Sequence, residues 1–403
     1  MSQTDDAVST LKRTPVTVLH WPILLASMGF FFIEFGLPIY GKELGASALE
    51  IGGLFSVFAA VVVVLRPFVG WGIDRLGRKP FFVVALALYA GAMFLFSRAS
   101  DLTGLFLARM AQGLGSSFLW IAAYTIATDL APSGERGVAV GRVDEAAARG
   151  AFYGAIAGFA LFSTMAPDVG WPVVFTAYAV VAAVGAWLGW RSVPETGRAA
   201  SAPAKPKVGK DRWFFSAPLL RLMVVVFTTG ASSAMVWPIY LIFLQDRFAP
   251  EVGTLAAVYI PAGIVYSYLP SRLGRLSDRY GRTRLMAIGL VGSGVVSLLL
   301  PRLSSLVWLG VLFTLEAVGW TIAAPAEEAM VADLTGKSIR GRGYGVYTLA
   351  RMLGATFGPL VGGWLYDSVG QAVPFYINGI VLLLGALWVL VALKQVRPIE
   401  AAA

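Results

Sequence analysis

Apolar residues in this chain fall into runs far longer than a soluble helix needs, separated by short polar connections. A run of roughly 20 apolar residues makes a helix that crosses about 30 Å of hydrocarbon. Twelve such spans fit the pattern, at about 16–40, 48–72, 80–98, 102–128, 138–164, 170–192, 214–244, 250–273, 285–301, 304–331, 342–365 and 372–393. The ten-residue alternation of a membrane β-barrel is not seen. The pattern therefore predicts an all-α integral membrane protein with about 12 transmembrane helices. Asp5, Asp6, Lys12 and Arg13 precede the first run without a convincing cleavage site, so that run is read as a retained helix.

The chain also repeats itself. At an offset of 204, Gly70, Asp74, Arg75, Gly77 and Arg78 meet Gly274, Asp278, Arg279, Gly281 and Arg282. Asp129, Arg136 and Gly137 meet Asp333, Arg340 and Gly341, and Gly141, Gly150, Gly154 and Gly158 meet Gly345, Gly354, Gly358 and Gly362. Chance likeness between apolar helices would match Leu and Val, not charged loop residues, so two pseudo-symmetric six-helix bundles are expected. The predicted organisation is a tail at 1–15, a first bundle at 16–192, a linker at 193–213, a second bundle at 214–393 and a tail at 394–403. Pro, Ala and Lys enrich the linker, which suits a connection that lets two bundles move.

Composition changes the picture only at the level of topology and chemistry. Of 403 residues, 57% are hydrophobic and 14% charged, against about a quarter charged in soluble domains. The formal net charge of +9 sits in alternate connections: Arg75, Arg78, Lys79, Arg136, Lys205, Lys207, Lys210, Arg212, Arg279, Arg282, Lys337 and Arg340 on one side. The intervening connections hold only Lys42, Arg98, Arg247 and Arg302. That asymmetry is the positive-inside signal, which predicts a cell-membrane protein with both termini in the cytoplasm and no nucleic-acid partner. With no Cys and His20 alone, neither a disulfide, a thiol nucleophile nor a His-rich metal site is expected, and no cofactor is called for.

The duplicated loop carries the chemistry of the halves. Gly70-Trp-Gly-Ile-Asp74-Arg75-Leu-Gly77-Arg78-Lys79 joins spans 2 and 3, and Gly274-Arg-Leu-Ser-Asp278-Arg279-Tyr-Gly281-Arg282 repeats it. A glycine, three residues, Asp-Arg, a spacer, then Gly and basic residues: the motif resembles the signature of the major facilitator superfamily. In that family the aspartate meets the start of the eleventh helix and the arginine chemistry latches the halves. Asp129 and Asp333, at the ends of spans 4 and 10, are the expected partners of Arg78 and Arg282.

Span 4 reads Arg109-Met-Ala-Gln112-Gly-Leu-Gly-Ser116-Ser117, similar to the fourth-helix motif of proton-linked drug exporters in that family. Arg109, Gln112 and Ser116 share a helix face, and an intramembrane guanidinium normally faces a cavity or a partner. The alternative is that Arg109 snorkels to the outer interface, since it lies about 12 Å inside by helical rise. Glu316 holds the repeat position of Gln112, near mid-membrane. Because helices 1, 4, 7 and 10 line the cavity in the family, Glu34, Arg109, Gln112, Ser116, Trp120, Trp237, Glu316 and Trp320 are the candidate lining residues. Span 11 carries Gly354, Gly358, Pro359, Gly362 and Gly363, similar to the family's antiporter motif, which there belongs to the fifth helix. In span 5 of this chain Ala155 and Phe159 replace the proline and the last glycine, and small residues for close packing explain the glycines equally well.

The resulting expectation is a monomeric secondary active transporter working by alternating access, exporting a small organic compound against protons. A carboxylate desolvated in a cavity can exchange a proton, and Glu316 and Glu34 are the candidates. The runner-up is a proton symporter importing a sugar, organic acid or similar nutrient. A membrane-embedded enzyme would need a convergent nucleophile or metal constellation, which one histidine does not supply, and no P-loop is seen.

Overall fold

The computed structural model describes residues 15–132, 135–196, 217–248, 252–269 and 280–393, and among them there are helices and no β-strand. The α-helices are α1 (His20–Ser27), α2 (Gly29–Glu43), α3 (Ala48–Leu76), α4 (Arg78–Arg98), α5 (Leu102–Leu130) and α6 (Arg136–Phe162). They continue with α7 (Pro167–Ser192), α8 (Ala217–Phe248), α9 (Val252–Tyr268), α10 (Arg282–Leu299), α11 (Leu306–Ser368) and α12 (Val373–Ala392). The tails and most of the linker expected from sequence lie outside the described residues.

The predicted spans reappear with ends shifted by a few residues, with two differences. Span 1 is divided at Met28, where the backbone N–H reaches Leu25 O in a three-residue step and α1 gives way to α2. Spans 10 and 11 follow one another with no non-helical residue between them, as the 63 residues of α11, although Gly336, Gly341 and Gly343 suggest a loop there. A straight helix would hold residues 16 apart about 24 Å from each other, yet Tyr344 Oη donates to Glu328 O at 3.0 Å. The run therefore doubles back, with two limbs packed side by side. Eight helical stretches among the described residues have the length and apolarity of a membrane crossing.

The chain divides into two compact units, one made of Met1–Ala46 and Val57–Asp211, the other of Ser47–Ser56 and Arg212–Ala403. In the first, α5 and α7 pack along α4, while α6 packs on α1 and α2. At one end of this unit Trp171 stacks on Tyr40 with centroids 4.2 Å apart and donates its indole N–H to Phe96 O at 2.8 Å. In the second unit α8 packs along α11, and α12 and α11 pack on α10. Leu222, Val226, Met286, Ala326, Val331 and Val389 are at the centre of that packing. Outward-facing positions are apolar too: Phe68, Trp71, Trp187, Trp308 and Val391 are exposed, as a lipid-facing surface requires.

Glycines set the closest helix pairs. On α6, a methyl group added to Gly150 or Gly154 would overlap the backbone carbonyls of Leu24 and Met28. On α11, Gly354, Gly358 and Gly362 meet the backbone of α8 at Ala231 and Met235 in the same way. The two series, each spaced by four, occupy equivalent repeat positions and serve the same purpose of backbone-to-backbone packing.

Candidate functional site

In the first unit the polar centre lies on α5. Arg109 is 1% exposed, so it does not reach an interface. Its Nη1 donates to Gln112 Oε1 at 2.7 Å, one turn along the helix, and its guanidinium lies 4.8 Å from the centroid of Phe58. Glu34 on α2 is close enough to act on the Arg109 charge, as is Tyr89 on α4. Ser116 is buried and shares a hydrogen bond with Tyr89. Trp120 continues the face, with Phe30 and Tyr124 rings 5.9 and 5.8 Å away. Further along, Tyr124 Oη donates to Asp144 Oδ1 of α6 at 2.6 Å. The structure thus brings Glu34, Arg109, Gln112, Ser116 and Trp120 together along α5, and adds Tyr89.

The second unit holds a different chemistry at equivalent positions. Glu316 on α11 stands among tyrosines, acting electrostatically on Tyr240, Tyr259 and Tyr266. Tyr240 stacks on Phe313 at 5.0 Å, and Tyr259 meets the same ring edge-on at 4.6 Å. Trp237 lies at the border of this aromatic group, 6.4 Å from Phe313, and is 38% exposed. Trp320 belongs to a separate group: Arg351 lies over its ring at 5.5 Å, donates to Tyr347 Oη at 2.8 Å and stands 3.8 Å from Glu327. Glu327, 7% exposed, was not among the residues singled out from sequence. The signal was there, since Glu316, Trp320 and Glu327 are spaced by four and seven and share one helix face.

At the ends of α4 and α10 the repeat gives two matching ion-pair clamps. Arg78 Nε lies 3.4 Å from Asp129 Oδ2, and Arg282 pairs with Asp333 while also donating to Ala329 O. Gly77 and Gly281 both take positive φ, +97° and +90°, so the chain can turn sharply into each helix. In the first unit the sequence reading missed a further component. Glu195 Oε1 and Oε2 accept the backbone N–H groups of Arg78 and Lys79 at 2.9 and 3.1 Å, capping α4. Thr196 Oγ1 donates to Asp129 at 2.7 Å. A side chain at Gly77 would strike the Glu195 carboxylate. Arg75 is exposed and lies over Trp71 at 4.2 Å, and Gly70 has open space around it. The Asp74 side chain and all of Gly274, Asp278 and Arg279 lie outside the described residues.

The model of the Major Facilitator Superfamily matches residues 23–221 and again 222–402. Multidrug resistance protein 1 of Bacillus subtilis (strain 168) is 24% identical over 379 residues, covering 93% of this chain and 95% of that relative. Tetracycline resistance protein, class G, of Vibrio anguillarum is 28% identical over 389 residues, covering 93% and 94%. Among solved structures, a bacterial homolog of the human lysosomal transporter Spinster, inward-facing and occupied, superposes with TM-score 0.80 at 16% identity, covering 94% of this chain and 96% of that one.

Proposed function

Since the chain belongs to the Major Facilitator Superfamily, and is a multi-pass membrane transporter rather than an enzyme, we propose that it exports a small organic compound in exchange for protons. Alternating access of the two halves around a midplane site is the mechanism this reading requires. The observation that carries the proton part is the position of Glu316, a half-buried carboxylate among Tyr240, Tyr259 and Phe313. Among the described residues it has no ion-pair partner. An intramembrane carboxylate without a counter-charge is costly when ionised, so proton uptake and release there are sensitive to the access of water. The names of the relatives, multidrug and tetracycline resistance proteins, support efflux as the direction.

In this reading Arg109, held by Gln112 and under the influence of Glu34, orients an anionic or polar part of the substrate or modulates Glu34. Asp74, Arg75 and Arg78 with Asp129, and Asp278, Arg279 and Arg282 with Asp333, belong to cytoplasmic latches. The charge asymmetry of the connections supports a cytoplasmic location for both termini, and in this reading the working unit is a monomer in the cell membrane.

The deciding experiment is transport in proteoliposomes with an imposed pH gradient, using tetracycline as the first probe of a panel of small organic compounds. Drug accumulation opposite to the proton flow is the expected result. Accumulation in the direction of proton flow would replace antiport with symport, and gradient-independent flux across the panel would remove proton coupling.

A further inference from the structure

The first backbone N–H groups of a helix have no partners within it. In α3 two devices supply them. Ser47 and Glu50 form a capping box, with Glu50 N donating to Ser47 Oγ at 3.2 Å and Ser47 N donating to Glu50 Oε2 at 2.9 Å. The remaining two donors go to a residue more than 300 positions away. Ala48 N reaches Asp367 Oδ1 at 3.2 Å, and Leu49 N reaches Asp367 Oδ2 at 2.8 Å. Ser47–Ser56 pack accordingly as part of the second unit, whereas α3 from Val57 onward packs as part of the first.

Next to this cap the backbones touch. A methyl group on Gly52 would overlap the Pro359 carbonyl, and one on Gly363 would overlap the Ala48 carbonyl. Pro359, Gly363 and Asp367 are each four apart, so they form one face of α11. The face that packs on α8 is built from Gly354, Gly358 and Gly362, and the first half of the chain has its equivalents in Gly150, Gly154 and Gly158. The face toward α3 has none: the equivalent positions are Ala155, Phe159 and Ser163. Duplication of a packing scaffold accounts for the first face only. Among the described residues the second occurs once.

We propose that Asp367 is a positioning residue of transport, holding the first turn of α3 on α11 in one access state and releasing it in the other. The proposal rests on the transport reading above, whose orientation places this contact at the outer side of the membrane. A charged cap suits a reversible contact. When it parts, carboxylate and N–H groups exchange one another for water, whereas parting an apolar contact exposes surface that water disfavours.

The chain has no Cys, so one introduced thiol can report the contact. Ser56 is 3% exposed and Ser27 on α1 is fully buried, and neither hydroxyl has a hydrogen-bond partner in the structure. Ser56→Cys is therefore the reporter and Ser27→Cys the control, each in oriented proteoliposomes treated from the outer side with a membrane-impermeant maleimide. Asp367→Asn is expected to raise the initial labelling rate of Ser56→Cys about tenfold, with Asp367→Glu returning it toward the parent value and Ser27→Cys unaffected. Ala48→Pro deletes one donor at a helix position that accepts proline, so it should give a smaller rise in a chain that folds if Asp367→Asn does not. Unchanged labelling in both variants overturns the proposal, and so does an equal rise at Ser27→Cys, the sign of general loosening. Substrate flux by the parent chain in the same vesicles tests the transport reading separately, so flux with unchanged labelling removes the role of Asp367 alone.

Discussion

The limb of α11 that carries Glu316 and the matching stretch of α5 share a repeat register but hold opposite charges. Where α5 has Arg109, Gln112 and Ser116, α11 has Phe313, Glu316 and Trp320. On α5 a guanidinium is pinned by an amide one turn away. On α11 a carboxylate stands among aromatic rings, and Arg351, on the other limb of α11, is engaged with Glu327 and Tyr347 instead. The scaffold around these residues has changed far less: the α6 and α11 glycines, the two positive-φ turns and the two Arg–Asp clamps all recur. Packing and turns are thus common to both halves, while the intramembrane charges have diverged. That is the pattern expected if the halves keep one mechanical task and divide the chemical one.

The strongest way to break this comparison is to exchange the polar groups. Glu316→Gln gives the second unit the residue that the first has at Gln112, at nearly constant size. We expect gradient-driven accumulation to fall by about 100-fold or more while substrate exchange persists, because a titrating group of this kind accounts for about 10²–10⁴ in proton transfer. Full retention of accumulation and of its pH dependence would pass the coupling role to Glu34. The reciprocal change Gln112→Glu places a carboxylate against Arg109, where the two neutralise each other, and is not expected to restore coupling in the double variant.

Effects on the common scaffold should be smaller and paired. Gly154→Ala and Gly358→Ala each drive a methyl group into a backbone carbonyl, of Met28 and Ala231, and each should lower stability by about 1–3 kcal/mol in thermal unfolding of the detergent-solubilised protein. Gly141 and Gly345, also repeat partners, have nothing within 4 Å of an added Cβ. Alanine at either should be neutral or stabilising by up to about 1 kcal/mol through helix propensity. A large loss at Gly141 or Gly345, or none at Gly154, would mean that the register does not reflect shared packing. The smallest effect belongs to the clamps. Asp129→Asn and Asp333→Asn remove partly exposed ion pairs, so each should cost no more than about 1 kcal/mol, with extra salt narrowing the difference from the parent.

Local features were legible in the sequence wherever a physical signal is itself local. Apolar run length gave the helices, because crossing hydrocarbon sets a length. The repeat gave the glycine ridges and both Arg–Asp pairs, because charged loop residues have no reason to recur by chance. What escaped were contacts made by the folding back of distant segments. Glu327 meets Arg351 across the two limbs of α11: the expected spans 10 and 11 gave the reversal, but not which side chains it brings face to face. Trp320 was read as lining a cavity, and nothing along the chain signalled that Arg351 lies over its ring. Glu195 lies in the first residues of the expected linker and Asp367 at the end of a span, where a carboxylate looks like ordinary solvated polarity. Their meaning lies in backbone donors 117 and 319 positions away, which no pattern along the chain announces.

Those two separations also set an order in time. A chain is made from its N-terminus, and its early segments fold while later ones are still being synthesised. The cap on α4 becomes available as soon as Glu195 is made, at the close of the first half, so that half can complete its own helix ends without waiting for the rest. The first turn of α3, although it precedes α4 in sequence, lacks its carboxylate until residue 367 has been added. Its two N–H groups therefore do without that carboxylate through most of synthesis, and the cap can close only once nine-tenths of the chain has been made.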